Sequence, residues 1–405
     1  MLRYDVIVVG ARPAGAAVAL LLARAGLRVL AVDRARFPSD TLSTHQVQPP
    51  GVALLRRWGL LEGLLAAGAP MVRTAKFAHP AAVLEGAYPG ADGVLSPRRT
   101  VLDALLVGAA RDAGAEVWEG FGVSGLRWDG GRVAGIDGAF KRGGPRSVAA
   151  SLVVGADGKH STVARLAGAR DYRVRPAMTA AFYGYVEGLG LTGGEVYPGR
   201  GGLRSMWPTN DGLAVAFLSV PRERFAEVRE LGFLASFGDR LAGARLAAGE
   251  PVRATVDLPN TFRVPYGPGW ALAGDAGLVM DPITGQGIGN ALRDADALAA
   301  ALVAGLGGGA PLDRALAGYQ RSRDRQRRAM YRLTTGAAGF GPERFGSWLY
   351  PAIARDPADV SRFLGVLAGL TPPLSALWGF AKSRALRIPT FRKYHPSGEK
   401  SEMSG

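Results

Sequence analysis

The sequence predicts an α/β fold, α+β over the whole chain, from three observations. Apolar runs and an Ala/Leu-rich helical pattern alternate at the start, residues 178–258 switch to alternating aromatic and small residues, and helical periodicity dominates after residue 307. The first implies a Rossmann-like β-α-β unit, the second an inserted antiparallel sheet, and the third a C-terminal helical region.

In order, YDVIVVG is a short apolar strand ending in glycine, AGAAVALLLARAG is a helix stopped by Gly26, and RVLAVDR is strand again. RRTVLDALLVGAARDAG reads as a helix, AEVWEG as the strand after it, and Gly-punctuated hairpin strands run to Ser147. SLVVGADG is a buried strand ending in a turn. AAFYGYVEG, GLRSMWP and GLAVAFLSVP form the antiparallel sheet, with one helical interlude near Glu223 to Leu246. WALAGDAG returns to strand, a long helix runs from about Gly287 to Leu306, and GLGGGAP breaks it. A basic helix from Leu312 to Leu333 and a Pro-punctuated helical tail follow, and the polar end after Tyr394 is expected to be disordered.

Composition removes several function classes. At 405 residues the chain can bury a substantial core in two domains or one elaborated one. It has no cysteine, which excludes disulfides, thiolate metal sites and a cysteine nucleophile, and fits a reducing cytoplasm. His45, His79, His160 and His395 are too scattered for a zinc site, so no metal is expected. The charge of +15 would suit an anionic partner, but 43 of the 49 cations are Arg, which looks like compositional bias rather than a nucleic-acid interface. Arg or Asp interrupts every candidate span, so no stable membrane insertion is expected. Nor is the N-terminal stretch expected to be a signal peptide, given Asp5 and the turn that follows.

Gly10-Ala11-Arg12-Pro13-Ala14-Gly15 follows a strand and opens a helix, whose free N–H groups and partial positive charge suit a pyrophosphate. Asp33 ends the next strand, where a carboxylate can accept both ribose hydroxyls of an adenosine, with Arg34 beside it. Arg12 stands where the pattern has a glycine. Either its side chain swings away, or its guanidinium supplements the N–H donors.

This turn alone does not separate NAD from FAD. VVGADGKHSTVARLAG at 153–168 and ALAGDAGLVMDPITGQGIGNAL at 271–292 resemble the DG and GD motifs of class A flavoprotein monooxygenases, the p-hydroxybenzoate hydroxylase-like family related to geranylgeranyl reductases and flavin-dependent halogenases. The three motifs stand in the family's order over residues 1 to about 305. The resemblance implies a discontinuous FAD-binding domain (1–75, 96–177 and 259–306), a substrate-binding sheet domain (76–95 and 178–258), the helical region 307–394 and a disordered tail, 395–405. It further implies that Asp275, after Gly274, accepts hydrogen bonds from the ribityl hydroxyls, and that Pro282, Gly285, Gln286 and Gly287 bring backbone to the isoalloxazine. Arg99 matches a cofactor-contacting arginine. The resemblance ties Asp157 to both FAD and NAD(P)H binding, with Arg165 a possible partner; the alternative for Asp157 and Gly158 is a simple turn. Leu278 replaces a histidine common in hydroxylases. The loop at 37–51 takes the place that carries a cysteine in geranylgeranyl reductases, and His45 could lie there beside the ring or serve merely as a capping or surface residue.

No triad or paired-carboxylate set is present, so no protein side chain is named as catalytic and the chemistry is expected to be borne by the flavin. The resemblance implies NAD(P)H as a transient co-substrate, dioxygen, and hydroxylation or epoxidation through a flavin C4a-hydroperoxide. The small-molecule substrate is expected between the flavin and the 178–258 sheet, against Tyr183, Tyr185, Arg204 and Trp207; if these aromatics line the pocket, an aromatic or polycyclic substrate suits them. The rival readings are a geranylgeranyl-reductase-like reductase of a prenyl chain, a halogenase, and, last, a non-catalytic FAD-binding or nucleic-acid-binding protein. In the basic segment 319–333 the arginines are expected mainly on solvated faces, and RFLGVLAGL and LSALWGFA are read as a helical cap over the active site.

Overall fold

The computed structural model describes residues 3–90, 92–199, 201–341 and 344–382; the expected tail at 395–405 lies outside the described residues. Arg3–Val9 is central in the first sheet, parallel to Val29–Asp33 on one side and to Pro145–Gly155 on the other. Glu116–Glu119 extends the sheet beyond Val29–Asp33, and Trp270–Leu272 extends it beyond Pro145–Gly155. The hairpin Phe121–Asp129/Arg132–Phe140 branches off the first half of Pro145–Gly155.

The parallel strands read as continuous apolar runs because both faces are covered. Val6, Val8, Val29, Ala31, Leu152 and Val154 face three helices, Pro13–Arg24, Arg99–Asp112 and Gly287–Leu306. Ile7, Val9, Leu30, Val32 and Val153 face the hairpin residues Phe121, Val133 and Ile136 and the short helix Thr162–Leu166. The alternation of side chains along each strand produces this division.

The second sheet runs Arg245–Leu246, Thr179–Glu187, Ala214–Pro221, Gly202–Pro208, Gly194–Gly199, Thr74–His79 and Ala82–Ala87, with Arg253–Thr255 also on Thr179–Glu187. It is antiparallel apart from the parallel pairing of Gly194–Gly199 with Thr74–His79. Tyr183, Tyr185, Trp207, Val215, Phe217 and Phe77 lie in one core with the C-terminal helices, while Phe182, Val186, Met206 and Leu218 pack on the 225–241 segment. A three-stranded sheet of Asp171–Arg175, Asn260–Arg263 and Leu278–Val279, not anticipated from sequence, joins the two halves.

The basic helix, Leu312–Ala337, departs from expectation. Its buried stripe of Leu316, Tyr319, Arg323, Arg327, Met330, Tyr331 and Thr334 includes two arginines. Arg323 donates to the carbonyls of Gly277 and Arg263 at 3.1 and 2.9 Å, so its buried guanidinium is satisfied by backbone acceptors. Arg327 pairs with buried Asp294 at 3.2 Å; burial raises that carboxyl's pKa and the guanidinium opposes the rise. No helix among the described residues is long and apolar enough to cross a membrane.

Candidate active site

The first strand ends at Gly10, whose φ of +96° favours glycine and whose Cβ would stand 2.4 Å from the Ala156 carbonyl oxygen. Gly15 is equally constrained, since a Cβ there would overlap the Gly10 oxygen at 1.7 Å. The helix Pro13–Arg24 has no side-chain cap and no acid in its first turn. The amides of Ala14 and Gly15 therefore lack intrahelical acceptors and face outward as an anion site. Asp33 accepts from the amides of Ala11 and Ala35, each at 2.8 Å, and so fixes the turn while its remaining lone pairs stay open; Arg34 is exposed beside it.

Arg12 turns to other partners. It donates to Asp103 Oδ2 at 2.6 Å and to Ser39 Oγ at 3.1 Å, and its guanidinium sits 5.6 Å from the Phe37 ring centroid. Arg99 grips the same carboxylate at two points, Nε to Oδ1 and Nη2 to Oδ2, both 2.9 Å. One buried aspartate thus organises the arginine at the turn and the arginine of the R-x-x-L-D stretch.

The GD segment packs onto this turn. Gly274, φ +59°, comes so close that a Cβ would lie 2.9 Å from the Ala14 Cβ. Asp275 presents its side chain to the cleft yet is surrounded by protein atoms; desolvation pushes its carboxyl up to about 6, with Arg99 pulling the other way. Asp281 caps Pro282–Thr284 through the Ile283 amide at 3.0 Å and accepts from Thr179 at 2.5 Å, tying the loop to the second sheet. Gly285, φ +62°, lies against Gln46, whose Oε1 would meet a Cβ at 1.9 Å. The Gln286 side chain donates to the Leu367 carbonyl at 2.9 Å. The helix from Gly287 has no side-chain cap and no acid in its first turn, and a Cβ on Gly287 would meet nothing within 4 Å. Two uncapped helix N-termini and two carboxylates, Asp33 and Asp275, gathered where Gly274 packs on Ala14, are a donor and acceptor set that fits FAD.

Other expectations change. Asp157 accepts from Ser161 at 2.5 Å and from the amides of Thr162 and Val163 at 2.6 and 3.3 Å; it caps a short helix rather than pairing with Arg165. Burial raises its pKa. His45 is fully enclosed, so it is neither a surface residue nor a group offering surface to the cleft. Its Nε2 meets the Tyr185 hydroxyl at 2.7 Å, Nδ1 has no partner, and burial drives the ring's pKa down to about 3. Tyr183 donates to Asp40 at 2.9 Å and to the Thr41 carbonyl at 3.1 Å. The two tyrosines therefore anchor the 37–48 loop instead of lining a pocket. Arg204 points to the opposite face of the sheet, bonded to the Ser236 carbonyl at 2.6 Å. Its neighbours Leu203, Ser205 and Trp207 have the other parity and line the cavity.

That cavity, about 400 Å³, has Gln46, Gln48, Ile283 and Thr284 at its cofactor end and is walled by Phe77, Tyr88, Trp207, Tyr350, Phe363 and Leu367, with Lys76 and His79 among its few polar residues. Sequence reasoning missed Gln46 and Gln48, whose i, i+2 spacing in the 37–51 loop was the available signal. It also missed the aromatic wall from Thr74–His79 and the C-terminal helices. Of the expected cap, RFLGVLAGL does supply Phe363, Leu364, Leu367 and Ala368 to the wall. LSALWGFA instead turns Leu374, Leu377 and Trp378 outward.

A family model described as FAD binding domain matches residues 3–184. The chain is 30% identical over 318 residues to a menaquinone reductase of Mycolicibacterium smegmatis, covering 71% of this chain and 73% of that protein. It is 36% identical over 176 residues to a 6-methylpretetramide 4-monooxygenase of Streptomyces rimosus, covering 40% of each. A probable FAD-dependent monooxygenase from Pseudomonas aeruginosa superposes with a TM-score of 0.69 at 25% identity, over 90% of this chain and 99% of that one. With three motifs packed together at one turn, an FAD-binding domain over the first two of them and relatives across most of its length, the chain belongs to the FAD-dependent oxidoreductase family that includes the class A flavoprotein monooxygenases and their reductase relatives.

Proposed function

We propose that the chain is an NAD(P)H-consuming monooxygenase that hydroxylates or epoxidises an aromatic or polycyclic small molecule. The observation that carries this reading is the aromatic cavity that opens at its cofactor end onto Gln46, Gln48, Ile283 and Thr284. When bound, FAD supplies hydride acceptance and dioxygen activation. The chain's residues position and shield. The amides of Ala14 and Gly15 would hold the pyrophosphate, Asp33 the adenosine ribose and Asp275 the ribityl chain. The uncapped N-terminus of the helix from Gly287 would offer its positive end to the negative charge that grows on a bound flavin on reduction. Phe77, Trp207, Tyr350 and Phe363 stack a planar substrate and keep water from the reacting face. NAD(P)H visits transiently.

A second reading, reduction of a prenyl chain or quinone-linked lipid, is favoured by one finding: the menaquinone reductase matches 71% of this chain, whereas the 6-methylpretetramide monooxygenase matches 40%. One experiment separates them. The flavin-loaded protein is followed for NAD(P)H oxidation with polycyclic phenols and with menaquinone, with and without oxygen, while peroxide is measured. Substrate-dependent, oxygen-dependent oxidation without stoichiometric peroxide supports the monooxygenase. Turnover of menaquinone without oxygen supports the reductase, and failure to bind FAD overturns both.

A further inference from the structure

The helix Pro373–Lys382 has two unlike faces. Ala376 and Phe380 are buried against the helix Pro357–Leu367, whereas Leu374 and Trp378 are 70% and 73% exposed, and Leu377 and the preceding Leu370 are 42% and 39% exposed. At about 100° per residue, positions 374, 377 and 378 fall on one side and 376 and 380 on the other. Leucines and a tryptophan therefore form a continuous outward strip on the last described helix, where a solvated face should be polar.

Charge identifies what covers it. From Leu370 to Gly398 the sequence has no Asp or Glu, and Lys382, Arg384, Arg387, Arg392 and Lys393 follow directly after the strip, in a chain of net charge +15. An apolar helical face with tryptophan, adjoined by a run of cations with no acid, is the pattern that seats in the headgroup region of an anionic bilayer, apolar side down and cations against lipid phosphates. We propose that this strip docks the protein on an anionic lipid surface as a peripheral contact. The placement has a use: the Pro357–Leu367 helix, on which the strip-bearing helix packs, turns Phe363, Leu364 and Leu367 into the cavity, so one helix separates the lipid from the site.

The test is flotation of the full, flavin-loaded chain with vesicles of phosphatidylcholine alone or mixed with phosphatidylglycerol, at low and high salt. The comparison is the double variant Leu374→Ser/Trp378→Ser, which alters only exposed positions; its flavin absorbance and circular dichroism check folding. The expected result is salt-sensitive binding to the phosphatidylglycerol vesicles, tryptophan quenching by brominated lipid, and about a tenfold loss of partitioning in the variant. Absence of wild-type binding, equal binding to both vesicle types, or equal binding by the variant overturns the proposal. So does a wild-type dimer that the variant converts to monomer with vesicle binding unchanged, which would assign the strip to a second copy of the chain.

Discussion

Nη1 of Arg12 lies 2.6 Å from Oδ2 of Asp103, the carboxylate that also holds Arg99 by two hydrogen bonds. Asp103 is 0% exposed and Arg99 7%, so removing the acid strands a buried cation. Asp103→Ala should cost about 3–5 kcal/mol in urea denaturation. Arg12→Gly should leave FAD affinity within about threefold of wild type in apoprotein titration, because the guanidinium is committed to Asp103 and Ser39. A tenfold loss would show instead that the guanidinium reaches the pyrophosphate.

Asp275 is an exposed carboxylate of the GD segment, which packs on the helix Pro13–Arg24 through Gly274. Asp275→Ala should weaken FAD binding roughly tenfold to a hundredfold, the range for a hydrogen bond to a charged group, and Asp275→Asn by less. Flavin fluorescence during titration of the apoprotein measures both; an unchanged affinity in the alanine variant would remove Asp275 from the site.

Asp281 makes a pH prediction with a definite sign. Burial raises its carboxyl from 3.8 to about 6, so between those values the folded chain binds a proton that the unfolded chain has released. This group's contribution to stability is therefore largest below about pH 4, declines as pH rises to about 6 and is constant above; the difference is at most about 3 kcal/mol. Asp281→Asn keeps an acceptor for the Ile283 amide and offers Thr179 a donor. Its Tm should rise relative to wild type between pH 4 and 7, and parallel Tm curves for the two proteins would contradict the assignment. His45 contributes oppositely, since its depressed pKa favours the folded state above about 6.5 and is lost on acidification toward 3.

Trp207 and Arg204 lie three residues apart on one strand but on opposite faces. Trp207→Ala should raise KM for the organic substrate or divert reducing equivalents to peroxide, about tenfold, through lost ring contact. Arg204→Ala should lower Tm with little change in coupling, because it removes the bond to the Ser236 carbonyl. Steady-state assays with peroxide detection distinguish them; equal effects would place the substrate elsewhere.

The cofactor half was legible because its requirements are local. Gly10 and Gly15 are imposed by close backbone contacts and Gly285 by its positive φ against Gln46, constraints that leave a trace at single positions, and the parallel strands announce burial on both faces. The substrate half was not legible to the same degree, because its wall comes from Phe77, Trp207, Tyr350 and Phe363, residues far apart in sequence that share no periodicity. Parity along GLRSMWP shows that Arg204 and Trp207 cannot share a face with Trp207 at the pocket and Arg204 beside it. Tyr183 and Tyr185 do share a face, but the polar groups of Asp40, Thr41 and His45 occupy it. Arg323 and Arg327 were misjudged for a related reason: charge alone argues for solvent, whereas the carbonyls of Gly277 and Arg263 and the carboxylate of Asp294 supply partners that sequence cannot place.

The Gln286 amide, which reaches from the GD loop to the Leu367 carbonyl, makes the cavity wall and the cofactor cleft parts of one mechanical unit. A molecule that shifts the Pro357–Leu367 helix on entering would strain or relax this bond, which is anchored at Gln286 in the GD loop. With FAD held at that loop, occupancy of the cavity and the midpoint potential of the flavin would be linked by a single coupling energy, equal in both directions.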